Sequence, residues 1–165
     1  MRHMDVNNPA NAMPTVSKVF EMIGTAKTAG SALEARDLKI IRESDAISMN
    51  RTRVLADAKS RAIAMADGYT PPTPQTINLP GESAKVALFM AVDGLAASGK
   101  ATPHDVVVSR VLAQVLSGGD TDISDSITEQ QLLELELAGF MELVKTKGTI
   151  ARIEHMLQTG KPLRN

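Results

Sequence analysis

Cysteine is absent from this chain. Disulfides and thiolate metal sites are therefore excluded. Aromatic residues make up only 2% of the sequence. The core must then be built from Leu, Ile, Val, Met and Ala, a composition that favours helices over a sandwich or barrel. Charge of one sign is lacking too: 18 Lys and Arg face 19 Asp and Glu, for a net charge of −1 with no block of like charge. A nucleic-acid partner is not expected on that balance. No apolar run approaches the roughly 18 residues of a membrane span. No charged n-region followed by an apolar h-region marks a secretory signal. A soluble, cytoplasmic protein is the expectation. Neither G-x-G-x-x-G nor G-x-S-x-G occurs, so the sequence offers no dinucleotide fingerprint and no nucleophile elbow.

What remains is 165 residues, of which 43% are hydrophobic. That is ample for one domain or two small helical lobes. The reading is all-α: a front helical lobe over residues 1–67, a Pro-rich linker over 68–80 and a C-terminal helical lobe over 81–165. Met1 to Ala12 reads as an irregular lead-in. Pro14 opens a helix with Val16, Val19, Phe20 and Ile23 on one face. Ser31 and Glu34 form a capping box that starts a short helix. That helix runs into Lys39-Ile40-Ile41, which has the look of an extended segment. Asn50 is placed to cap a helix over residues 51–66 with Val54, Leu55, Ala58, Ala62 and Met65 as its stripe. Pro71, Pro72, Pro74 and Pro80 fix φ and remove donors, so neither helix nor central strand should continue through them.

Gly81 to Ser98 is apolar nearly all round and is expected to be the most buried helix. Thr102, Pro103 and Asp105 form the start of the next helix, and Gly118-Gly119 its end. The tail runs ITEQQLLELELAGFMELVKTKGTIARIEHMLQTGKPLRN. Thr128 with Gln131 makes a capping box, and Ile127 with Leu132 a hydrophobic staple. Gly148 interrupts the helical pattern, Thr149 is placed to cap a final helix, and Gly160 with Pro162 stops it. The expected shape is an αα-hairpin in which Phe140 is buried facing the last helix.

Several stretches imitate functional sites. Gly94 to Ala101 nearly matches the phosphate-cradling G-x-x-x-x-G-K-[ST] loop. A helix precedes it instead of a strand, however, and Ala101 replaces the hydroxyl residue, so Gly99 reads as a helix stop. His3, His104 and His155 lie too far apart in sequence for a zinc pattern. Asp120, Asp122 and Asp125 lack the glycine of a calcium loop, with Ile123 in its place. Arg51, Arg53, Lys59 and Arg61 suggest a phosphate patch but fit a solvated helix face better. No catalytic, cofactor-binding or metal residue is assigned.

The run T-E-Q-x-L-L-x-L-E, Phe140 and the ending R-I-E-H-M-L-Q-T-G-K-P-L-R-N resemble the C-terminus of bacterial 3-hydroxyacyl-CoA dehydrogenases. In that type an NAD-binding part precedes an enoyl-CoA hydratase-like (crotonase) part on one polypeptide. The segment A-G-S-A-L-E-A-R-D-L-K-I-I resembles the piece that follows the crotonase core. Relatives carry a Glu-Arg-Glu run before the equivalent of Phe140, where this chain has Glu136, Leu137 and Ala138. The resemblance implies the helical tail of a fatty-acid β-oxidation enzyme. NAD and acyl-CoA would belong to the parent, and no cofactor to this chain. The oxyanion donors and acid–base carboxylates would precede it, so neither Glu34 nor Glu82 takes a catalytic role. Its expected partners are the remainder of the parent enzyme and, for the isolated chain, a second copy in a homodimer through Val16, Val19, Phe20, Ile23, Leu33, Val54 and Leu55. The competing reading is a stand-alone helical interaction module.

Overall fold

The computed structural model describes residues 12–165. The lead-in, including His3, lies outside the described residues, apart from Ala12. Seven helices carry the fold: α1 (Ala12–Gly24), α2 (Ala32–Asp37), α3 (Val54–Ala66), α4 (Gly81–Ala97), α5 (Pro103–Ser117), α6 (Glu129–Leu143) and α7 (Lys147–Thr159). Two three-residue strands, β1 (Thr76–Asn78) and β2 (Ser126–Thr128), pair antiparallel with Ile77 opposite Ile127. The Pro-rich segment therefore does hold a strand, placed between Pro74 and Pro80 where no proline removes a ladder donor.

The chain divides into two compact units. One comprises the described residues up to Lys27 together with Gln75–Asn165, and the other is Thr28–Pro74. This differs from the expected front lobe over 1–67, which put α1 with the residues that follow it. In the larger unit α5 is the central helix, with α1, α4 and α6 packed against it. Val16 and Val19 of α1 join Leu79, Leu88, Ala113, Leu116 and Ile127 in one core. The periodicity of Val16 and Val19 showed that the helix has a buried face. It did not show which neighbour covers that face, and the neighbour lies about ninety residues on along the chain.

Helix α4 is less buried than its composition suggested. Gly81, Ala84, Leu88 and Val92 are buried, but Val86, Met90 and Leu95 on its other sides are exposed. A helix apolar all round needs neighbours on every side, and α4 has α5 along one. At the far end of α5, Gly118 and Gly119 take positive φ of 93° and 73°. A Cβ at Gly118 would stand 2.7 Å from Thr121 Oγ1 and 3.2 Å from Leu79 Cβ, so both backbone sign and space require glycine.

The smaller unit has no buried residue in α2 or α3. Ser31 Oγ accepts from the Glu34 N–H, as a cap should, but the Glu34 carboxylate accepts from Gly30 N–H rather than from Ser31, so the box is displaced by one residue. Lys39-Ile40-Ile41 is not extended. Lys39 has φ 61°, and the N–H groups of Lys39 and Ile40 close onto the carbonyls of Arg36 and Ala35 as a helix-ending turn. Asn50 caps a single 3-10 turn, Arg51–Arg53, that leads into α3.

Candidate functional site

The densest polar cluster joins the start of α5, the start of α7 and the last residues of the chain. Its frame is a capping box: Asp105 N–H donates to Thr102 Oγ1, and Thr102 N–H donates back to Asp105 Oδ2 at 2.9 Å. Arg152 on α7 reaches across, its guanidinium 2.7 Å from Asp105 Oδ1. The same side chain donates through Nε to Asn165 Oδ1 at 2.7 Å. Arg164 lies 3.6 Å from Asp105 Oδ2 and donates to the Lys100 carbonyl. Beside this, buried His104 shares a 2.9 Å hydrogen bond between its Nε2 and Thr149 Oγ1. Its backbone N–H donates to the Asn165 carbonyl.

Electrostatics follow from this arrangement. Burial by itself would raise the Asp105 carboxyl. The Thr102 N–H and hydroxyl and the Arg152 guanidinium outweigh it and bring the pKa down to about 2. His104 is held below its usual value by burial and by the Arg152 charge, with Asp105 opposing. The cluster therefore favours the charged form of the carboxylate and the neutral form of the imidazole. Asp105 is paired with Arg152, and His104 with a threonine that also accepts from Thr146. These groups fasten α7 to α5. They do not form a nucleophile–base–orienter relay.

Gly148 lies within α7 and does not precede it, because Thr146 caps this helix by accepting from Thr149 N–H. A Cβ on Gly148 would fall 2.6–2.8 Å from the His104 ring. The close approach of these two residues draws the helix start back from the expected Thr149. Phe140 is 55% exposed, so it is not the buried anchor of the tail. What holds α7 is the polar cluster at α5.

The chain is 38% identical over 160 residues to a probable 3-hydroxyacyl-CoA dehydrogenase of Bacillus subtilis (strain 168).

The match takes in 96% of this chain and 20% of that protein, so the chain spans about a fifth of its relative's length. No protein-family profile matches the chain, and no solved structure matches it.

The stretches that imitate functional sites have local structural explanations. Gly99 has φ 70°, and the N–H groups of Gly99 and Lys100 close onto the carbonyls of Ala96 and Leu95, the full Schellman pattern of a helix end. Asp122 accepts from Ser124 N–H and Oγ, Asp125 from Asp122 N–H, and Asp120 pairs with Lys85 at 2.7 Å. Among the described residues no three His, Asp or Glu side chains gather as metal ligands. On α3 and its leading turn, Arg53 pairs with Asp57 at 3.5 Å and Arg61 donates to the Ser44 carbonyl. Glu34 serves the start of α2, and Glu82 lies exposed in the first turn of α4. Among the described residues no helix is long and apolar enough to cross a membrane.

The residues that sequence reasoning passed over are Arg152, Arg164 and Asn165. They stand in the R-I-E-H-M-L-Q-T-G-K-P-L-R-N ending that carried the resemblance, yet their partner Asp105 is 47 positions from Arg152. No local spacing rule links them.

Proposed function

We propose that this chain is a helical region of a 3-hydroxyacyl-CoA dehydrogenase polypeptide of fatty-acid β-oxidation, one that also carries an enoyl-CoA hydratase-like part. The observation that carries the reading is the 38% identity to the Bacillus relative along 96% of the chain. The local geometry supports a structural role. The one dense polar cluster locks helices together, and the unit Thr28–Pro74 leaves Leu33, Val54 and Leu55 exposed at 65%, 47% and 82%. A unit with so little of its own core is suited to lying against something else, either the body of the enzyme or its acyl-CoA channel. NAD does not fit the residues present. No G-x-G-x-x-G stretch occurs in the sequence, and on this reading the nicotinamide site belongs to the polypeptide beyond this chain.

The test is a chimera in which this chain replaces the matched 160 residues of the Bacillus protein. The chimera should reduce NAD with 3-hydroxybutyryl-CoA. The purified chain alone should neither reduce NAD nor hydrate crotonyl-CoA. A soluble but inactive chimera, or turnover by the chain alone, would overturn the reading. By itself the chain is expected to dimerise through the exposed residues of Thr28–Pro74. Val16 and Val19 drop out of that surface because they are buried. Light scattering on Leu55→Asp should then show a monomer.

A further inference from the structure

We propose that the outer face of α6 is a docking surface for an apolar helix with basic flanks, supplied by the part of the longer polypeptide outside this chain. Leu133, Leu137, Phe140 and Met141 are exposed at 50%, 61%, 55% and 47%. They stand at i, i+4, i+7 and i+8, which on a helix of 3.6 residues per turn is one continuous stripe. The stripe is not a loosened part of the core, because α6 already has an inner face. Gly139 lies so close to α5 that a Cβ there would meet Val111 Cγ1 at 2.7 Å, and Leu135 covers Gly119. The outer face is a second, separate apolar surface on the same 15-residue helix.

Charge selects the occupant. At 100° per residue, Glu134 and Glu136 fall on opposite sides of the stripe. Every charged residue from 111 to 144 is Asp or Glu. A second copy of α6 laid against this face would bring carboxylate against carboxylate along both edges, which is unfavourable. A helix with Lys or Arg at those edges would instead match both the stripe and its flanks, in the way coiled-coil flanking positions choose partners. The source of that helix rests on the function proposed above: the match covers 20% of the Bacillus relative, which leaves about four-fifths of such a polypeptide to supply it.

Two arms separate the docking from the function. In the first, the purified chain is titrated with two designed amphipathic peptides that share a leucine stripe, one flanked by lysines and one by glutamates. The lysine-flanked peptide should bind, with the preference reversed in Glu134→Lys/Glu136→Lys and unchanged in Glu142→Lys, whose side chain lies on the far side of the helix. Loss of binding in Leu137→Asp, with the helical circular dichroism signal retained, completes the expected pattern. Failure of the lysine-flanked peptide to bind would sink the proposal, as would a preference indifferent to the double reversal. In the second arm, a photo-crosslinking phenylalanine analogue replaces Leu137 in the full-length chimera. The expected product joins position 137 to a residue outside this chain, with yield reduced roughly tenfold by the double reversal. A product linking two copies of α6 would overturn the assignment of the occupant. An inactive chimera with both binding results intact would remove the functional reading alone, and an active chimera lacking them would remove the docking alone.

Discussion

Asp105 is the residue on which three segments converge. It caps α5, receives Arg152 from α7 and lies beside Arg164 near the chain end. Removing Arg152 would leave a partly buried carboxylate with its charged donor gone and Asn165 released. Arg152→Ala is expected to cost about 1–3 kcal/mol in chemical denaturation. Arg152→Lys should recover only part of that, because a single ammonium cannot serve Asp105 and Asn165 in the fork that a guanidinium does. A lysine variant as stable as wild type would show that only the charge matters. The neighbouring imidazole gives a pH signature. Because folding lowers the pKa of His104 below its usual 6.5, the unfolded chain binds the extra proton first. The stability is present above 6.5 and is lost as pH falls below it. Asp105, with a folded pKa of about 2 against 3.8, contributes stability above 3.8 that is lost as pH falls toward 2. The His104 window opens at 6.5 and the Asp105 window at 3.8, so the first loss on acidification belongs to His104. Tm should therefore fall between about pH 7 and pH 5 in wild type and fall less in His104→Gln, with a common further drop near pH 3. Identical slopes in the upper window would mean that another group titrates there.

The starts of α5 and α6 were readable in the sequence because their bonds are local. Thr102 with Asp105 and Thr128 with Gln131 both close as reciprocal boxes, and each needs only residues three apart. Ile127, placed as one half of a staple, is buried at 5% exposure. Thr128→Ala should lower stability by about 1 kcal/mol. The start of α7 was misplaced by three residues because a contact from a distant helix, His104 on Gly148, decides between two available threonines. Apolar periodicity was ambiguous for a similar reason. On α6 two apolar faces exist, and the sequence alone does not say which one is covered. The inner face, with Gly139 on α5, is covered, and the face carrying Phe140 is not. Phe140→Ala is accordingly expected to change stability by less than about 1 kcal/mol. Leu88→Ala, at 4% exposure in the core, should cost about 2–5 kcal/mol. Thermal melts of the two variants side by side would check this, and a larger loss at Phe140 would mean that its face is covered in solution.

At the scale of the whole molecule, the order of units along the chain was the least readable feature. The prolines marked a real change of structure, but they mark the return from an inserted unit, Thr28–Pro74, and not the divide between a first and a second lobe. Sequence signals report where elements begin and end. They do not report that α1 crosses that insertion to pack on α5, because such a contact depends on matched surfaces far apart in the chain. The arrangement has a direct consequence for proteolysis. Tyr69 is the one tyrosine of the chain and is 64% exposed in an irregular stretch from Gly68 to Gln75. Brief chymotrypsin treatment should cut after Tyr69 before it cuts after Phe89 within α4. The nicked halves, residues 1–69 and 70–165, should then stay together on native gel filtration, because Val16 and Val19 remain in the core with Leu88, Ala113 and Leu116. They should separate only in denaturant. Two lobes in a row would behave differently, since a cut in the linker between them would release a free N-terminal fragment at once. Prompt separation of the halves under native conditions would show that α1 does not pack on α5.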